Sequence, residues 1–217
     1  MADPTPEFVA ARTAILPLRD GGRILVRPLV PEDREELARA ARRLSPRSAR
    51  LRFFQPKDRL SEEELDYLTR LDYHDHFAWA AFDPDAPGRP GVGVARYVRL
   101  PGEPTVAEPA VTVLDDHQGR GIGTLLFGLL AATALEHGIE TFRGYLLDQN
   151  LRLLDGVASR IRHDEPGVAT VEIDLPLDDA QLDPAVRRLL ASIASGEVRP
   201  RVRIPAEPPG ARGLTEP

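Results

Sequence analysis

Apolar positions along the chain switch between two periods. Seven short runs are bounded by Gly, Pro and Asp clusters and read as strands: Ile24 to Leu29, His76 to Phe82, Val92 to Leu100, Val106 to Leu114, Thr141 to Leu147, Val157 to His163 and Ala169 to Leu175. Between the first two, Pro31 opens a helix whose Leu37, Ala41 and Leu44 share a face. Ser45-Pro46 restarts the chain with a cap and a proline at the first helical position, and Ser61-Glu62-Glu63-Glu64 is a capping box with Leu65, Leu68 and Leu71 behind it. A longer amphipathic helix carries Ile122, Leu125, Leu126, Leu129 and Thr133 on one face and stops at His137-Gly138. Asp164-Glu165-Pro166-Gly167 turns the last two strands into a closing hairpin. This order predicts an α/β fold with a mixed, mostly antiparallel sheet flanked by helices.

The most chemically specific segment follows the strand ending at Leu114. There Gln118-Gly119-Arg120-Gly121-Ile122-Gly123-Thr124 forms a glycine-rich turn that opens directly into the long helix. The first turn of a helix has backbone N–H groups with no intrahelical acceptor, at the positive end of the macrodipole, so a compact turn here makes a phosphate site. Spacing sorts the glycine-loop types. A P-loop needs Lys and then Ser or Thr after its last glycine, whereas Thr124 follows Gly123 with no Lys. A dinucleotide fingerprint needs a glycine three positions after Gly121 or Gly123, where Thr124 and Leu126 stand. What remains, Gln118-x-x-Gly121-x-Gly123, resembles the Q/R-x-x-G-x-G/A signature of the GNAT superfamily of acyl-CoA-dependent N-acyltransferases. The resemblance runs from about Leu18 to Leu175.

Its amino-terminal half is similar to bacterial GNAT domains of the protein-lysine acetyltransferase type, through Leu18-Arg19-Asp20-Gly21-Gly22, Val26-Arg27-Pro28, Pro31-Glu32-Asp33 and the run from Leu44-Ser45-Pro46 to Phe53-Phe54. The resemblance implies a GNAT fold, acetyl-CoA or another acyl-CoA as co-substrate, no metal, and an amine acceptor that is a protein lysine or a small amine. It places the CoA pyrophosphate on Gln118, Gly119, Arg120, Gly121, Ile122, Gly123 and Thr124. It places the pantetheine arm along a bulged strand at Val111, Thr112 and Val113. Asn150, after the following strand, matches an Asn that many relatives use against the cofactor, although a helix cap is an equal reading. Ala107-Glu108-Pro109-Ala110-Val111-Thr112-Val113 matches the pattern A-E-x-A-V-x-V, which assigns the general base to Glu108.

The chemistry requires such a group. An amine attacks a thioester only as the neutral base, and a lysine-type ammonium titrates near ~10.4, so an acceptor must remove its proton. A free carboxylate near ~4.3 is a poor match, and burial in the apolar strand is expected to raise it. A backbone N–H on the same strand would stabilise the oxyanion by about 3 kcal/mol. Two departures stand out. Pro109 donates no N–H and belongs at an edge or a bulge. Leu151-Arg152-Leu153-Leu154-Asp155-Gly156 lacks the tyrosine with which many relatives protonate the departing thiolate, which leaves that step to water; Tyr145 reads as a strand aromatic in the core.

Composition narrows the rest. The 217 residues contain no cysteine, which removes a disulfide framework and a cysteine acyl-enzyme, so transfer is expected to be direct, in a ternary complex. A net charge of -6 argues against nucleic-acid binding and suits a cationic acceptor. No membrane span or export signal is evident, and a cytoplasmic protein, with a homodimer left open, is expected. Residues 1–17 read as a flexible segment, 18–177 as the acyltransferase domain, 178–198 as an extra helix capped at Asp183-Pro184, and 199–217 as a disordered Pro-, Gly- and Arg-rich tail. With about 20 residues before the first strand, the regulatory nucleotide-binding or synthetase-like domains of some relatives are expected to be missing. His74-x-His76 with Asp72 and Asp75 reads as a loop rather than a metal site, and Asp115, Asp116 and His117 as surface turn residues. From Arg39 to Arg59 eight basic residues face one acid, a solvated face or a contact for the CoA 3'-phosphate, and Glu62 to Asp75 is acidic enough to attract a cationic amine. The alternative to an enzyme is a non-catalytic acyl-CoA sensor or regulatory module.

Overall fold

The computed structural model describes residues 4–53, 57, 59–148, 151, 154, 157 and 159–177. Eight strands form one sheet: β1 (Ala14–Pro17), β2 (Arg23–Pro28), β3 (His76–Phe82), β4 (Gly91–Arg99), β5 (Val106–Val113), β6 (Thr141–Leu147), β7 (Arg160–Glu165) and β8 (Val168–Asp174), in the spatial order β1-β2-β3-β4-β5-β6-β8-β7. Every pairing is antiparallel except β5 with β6. The helices are α1 (Pro6–Ala11), α2 (Arg34–Arg42), α3 (Pro46–Phe53), α4 (Glu62–Thr69) and α5 (Ile122–Glu136).

The two faces of the sheet are covered by different helices, and β3 shows why. Phe77, Trp79 and Ala81 belong to the cluster under α5, whereas Ala78, Ala80 and Phe82 pack with Leu29 and Leu71 on the face that carries α2 and α4. A strand buried on both sides reads as a continuous apolar run, which is what His76 to Phe82 is. α5 is buried nearly all round: Gly128, Leu130, Ala131 and Ala134 are enclosed as well as the expected Leu125, Leu126 and Leu129. Trp79 donates its indole N–H to Thr133 Oγ1 at 3.1 Å, so the polar edge of this buried aromatic is satisfied.

The amino-terminal segment departs from expectation. Instead of a flexible lead, Thr5 caps α1, Pro6 occupies its first turn, and Phe8 packs edge-on against Tyr73 and Phe77. β1 then pairs with β2 from Ala14↔Val26 to Pro17↔Arg23. Four residues ending in proline, with one buried side chain among them, leave too few alternating positions to register as a strand. The helix expected at Pro31 begins with a 3-10 turn, Pro31–Asp33, in which Asp33 N–H bonds to Val30 O at 3.0 Å and the Asp33 carboxylate accepts from Val30 N–H at 2.9 Å and from Arg27 at 2.6 Å. β7 starts at Arg160 rather than Val157, whose N–H instead closes a turn onto Leu154 O at 2.8 Å. Tyr145 is not in the core: it stands 55% exposed on β6. The expected carboxy-terminal helix and tail lie outside the described residues.

Candidate functional site

The site forms where β5 and β6 part. Their parallel pairing consists of Val106↔Thr141 and Ala107↔Phe142 and then stops, although both strands continue. Pro109 explains the break: it offers no N–H, and its ring lies 3.7 Å from the position a Cβ on Gly144 would take, so the strands are held apart from there on. β5 stays in register with β4 as far as Gly93↔Val113. Leu114 N–H bonds to Val92 O at 2.9 Å, so strand alternation turns the backbone groups of Thr112 and Ala110 toward β4 and those of Val111 and Val113 into the opening between β5 and β6. Of the three expected strand positions, two therefore present backbone to the wedge. Thr112 does not, and its side chain lies on the opposite face of the sheet from α5.

Beyond β5 the chain makes a 3-10 turn at Asp115–His117 and reaches the glycines. Gly119 and Gly121 have φ of 76° and 87°, the left-handed region that favours glycine. The first intrahelical bond of α5 runs from Leu125 N–H to Gly121 O at 3.0 Å, so the N–H groups of Ile122, Gly123 and Thr124 have no intrahelical acceptor. A Cβ on Gly123 would meet nothing tighter than Val113 Cγ2 at 3.8 Å and Val111 Cγ1 at 3.9 Å. The free helix end thus lies beside the Val111 and Val113 side chains of the open strand. Ile122 itself is buried in the core, so only its backbone is available, while Thr124 is exposed.

Side chains around the turn act as braces. Gln118 Nε2 donates to Val113 O at 3.0 Å, and Arg120 binds Asp20 in the β1–β2 turn and stands 3.1 Å from His117 Nδ1. Asp115 accepts from Ser45 N–H at 3.0 Å, Ser45 Oγ at 2.7 Å and Ser48 Oγ at 2.8 Å, which fastens the start of α3 to the loop. Partial burial raises the Asp115 pKa, and those hydrogen bonds outweigh it, so the carboxyl stays below its ordinary range. Asp115 is therefore more than a surface turn residue. Nothing local announces the pairing, because its partners are about 70 positions away.

Glu108 is exposed, not buried in the strand as expected. Ala107 points into the α5 core, so alternation puts Glu108 on the other face, at the mouth of the wedge and near the Arg52 guanidinium of α3. Arg96, on β4, lies on that same face. Asn150 lies outside the described residues. His74 and His76 do not converge: His74 Nδ1 faces Asp75 at 2.7 Å, whereas His76 is buried with Nε2 against Arg96 at 3.1 Å. Among the described residues no three His, Asp or Glu side chains are grouped to hold a metal, and no helix is long and apolar enough to cross a membrane.

The family model for the acetyltransferase (GNAT) domain matches residues 23–161, which takes in the split strands, the glycine turn and α5. The chain belongs to the GNAT acetyltransferase family. Among relatives of this GNAT chain, Acetyltransferase Pat of Mycolicibacterium smegmatis is 33% identical over 171 residues, 77% of this chain and 50% of that protein. Acetyltransferase PA5475 of Pseudomonas aeruginosa is 36% identical over 123 residues, 57% of this chain and 66% of that protein. The chain thus spans about half the length of one curated relative and about two thirds of the other. Among solved structures, the GNAT domain of S. lividans PAT superposes with a TM-score of 0.67 at 32% identity, covering 75% of this chain and 97% of that one. A cAMP-binding acyltransferase from Mycobacterium smegmatis gives 0.56 at 29% identity, covering 86% and 57%.

Proposed function

We propose that this GNAT domain moves an acyl group, acetyl in the simplest case, directly from acyl-CoA to an amine, a protein lysine or a small amine, in a ternary complex. The observation that supports the reading is that the start of α5, where Ile122, Gly123 and Thr124 have N–H groups without intrahelical acceptors, lies beside the Val111 and Val113 side chains of the open strand. The helix end takes the pyrophosphate, with Gln118, Gly119, Arg120 and Gly121 shaping the turn. The strand edge pairs with the pantetheine amides and aims an N–H at the thioester oxygen. Once its ammonium proton is removed, the neutral amine nitrogen attacks the carbonyl carbon, the C–N bond forms, the C–S bond breaks with its electron pair leaving on sulfur, and the second N–H proton passes through water to that thiolate. The ammonium proton passes to Glu108, directly or through one water. An exposed carboxylate is a weak base for this task, so the acceptor itself must close over Glu108 and exclude solvent from it. Calorimetry with acetyl-CoA, followed by free-thiol release across a panel of amines, tests the reading. Binding with amine-dependent thiol release is expected. Binding with no release from any amine would point instead to an acyl-CoA sensor, and no binding would reject both.

A further inference from the structure

On the face of the sheet that carries Glu108, an open groove runs beneath α2 and α3 over β3 and β4. Its walls are mostly aliphatic, and four charged residues line it: Asp33, Glu36, Arg52 and Arg96. Two of these are neutralised at one end. Asp33 is held by Arg27, and Glu36 by Arg39 at 2.6 Å and by Gly91 N–H. The other two are cations. Arg96 is 4% exposed, and its guanidinium contacts are neutral: Leu68 O from both terminal nitrogens at 3.2 Å and His76 Nε2 at 3.1 Å. Burial first, and the nearby Arg52 second, pull the Arg96 pKa down to about 9, which still leaves it charged at neutral pH. His76 cannot compensate it, being neutral: burial and the adjacent Arg96 lower its pKa to about 4. Burial also lowers Arg52, partly offset by Glu108. Arg52 lies over the Phe53 ring at 5.2 Å, and neither guanidinium forms a carboxylate ion pair among the described residues. Among the described residues these two cations are set against one neighbouring carboxylate, Glu108, which leaves one positive charge in a largely apolar groove, an arrangement that is costly unless an anion completes it.

We infer that Arg52 and Arg96 form a carboxylate subsite beside the reacting centre, so that the substrate carries a carboxylate close to the bond being made. The inference rests on the acyl-transfer reading and specifies its substrate class. Two carriers present that group to this face: an acceptor amine with a neighbouring carboxylate, or an acyl group ending in one. Arg52 comes from α3 and Arg96 from β4, so the fork is fixed by two elements rather than by a single mobile loop.

The test compares matched substrates on the full chain. Nα-acetyl-lysine is set against its carboxamide with acetyl-CoA as donor, and succinyl-CoA against acetyl-CoA with the carboxamide as acceptor. In one of the two pairs the carboxylate-bearing member is expected to lead by about tenfold in kcat/KM, the scale of a hydrogen bond to a charged group. Arg52→Gln should shrink that ratio to near one, and Arg52→Lys should restore part of it. Arg96→Gln should act likewise if it folds, and the partly exposed Arg52 keeps the test available if it does not. No preference in either pair, or a preference that survives Arg52→Gln, overturns the subsite. If acetyl-CoA itself does not bind, the acyl-transfer reading fails separately, and thermal shift with glutarate still reads the subsite. Stabilisation of the wild type but not of Arg52→Gln upholds it, and equal response refutes it.

Discussion

Gln118 Nε2 lies 3.0 Å from the carbonyl oxygen of Val113, so a side chain of the glycine turn closes onto the open edge of β5. The bond fixes the spacing between the helix end and the strand edge without itself touching the reacting atoms. Gln118→Ala should therefore raise KM for acyl-CoA about fivefold, the equivalent of roughly 1 kcal/mol, and leave kcat nearly intact. Steady-state kinetics at saturating amine measures both; a fall in kcat with unchanged KM would contradict the positioning role.

At Gly121 backbone geometry, not space, requires glycine. Its φ is 87°, and a Cβ there would come no closer than 3.8 Å to Arg19 Cδ. Gly121→Ala should cost about 1–2 kcal/mol of stability by forcing alanine into the left-handed region, and should weaken acyl-CoA binding as the turn relaxes. Chemical denaturation and calorimetry on the same sample check the two effects.

His76 gives the fold a pH dependence with a definite sign. Burial, and then the neighbouring Arg96, hold its folded-state pKa at about 4, below the ordinary value of 6.5. Between those values the unfolded chain takes up a proton that the folded chain refuses, so stability falls as pH drops from 6.5 toward 4, by up to about 3 kcal/mol. Asp115, with its lowered pKa, adds a further loss only below its ordinary value of 3.8. His76→Gln keeps an acceptor for Arg96 and removes the titration. Its melting temperature should then vary less than that of the wild type between pH 4 and 6.5, and an unchanged slope would remove His76 from the account.

Glu108→Gln should slow transfer by about 10²-fold in kcat/KM, with acyl-CoA affinity preserved because the residue lies on the sheet face away from α5. A variant that transfers at the wild-type rate would remove Glu108 as the base.

Much of this was legible in the chain because the signals are local. The Ser61–Glu64 capping box forms with both of its hydrogen bonds, β3 and β6 begin and end where their apolar runs do, and the glycine turn opens directly into α5. What escaped depends on residues far apart in sequence. Asp115 reaches back to Ser45 and Ser48, and Arg96 is defined by Leu68, His76 and Arg52, so neither declares its role within a window of neighbours. The exposure of Glu108 is of the same kind. Its strand alternates as expected, but how much of that face is covered depends on where α3 lands, which periodicity does not encode.

The central claim is that the amino terminus of α5 holds the phosphates of CoA, and Gly123→Glu tests it most directly. A carboxylate in the first turn of a helix favours folding by about 0.5 kcal/mol through the macrodipole, and a Cβ at this position meets only ordinary contacts, so the variant should melt no lower than the wild type. In the same place the carboxylate would occupy and repel the phosphate site. Calorimetric titration with acetyl-CoA should show one saturable site on the wild type and at least a tenfold weaker one, about 1.4 kcal/mol or more, on Gly123→Glu. Equal affinity in the two proteins would contradict the assignment.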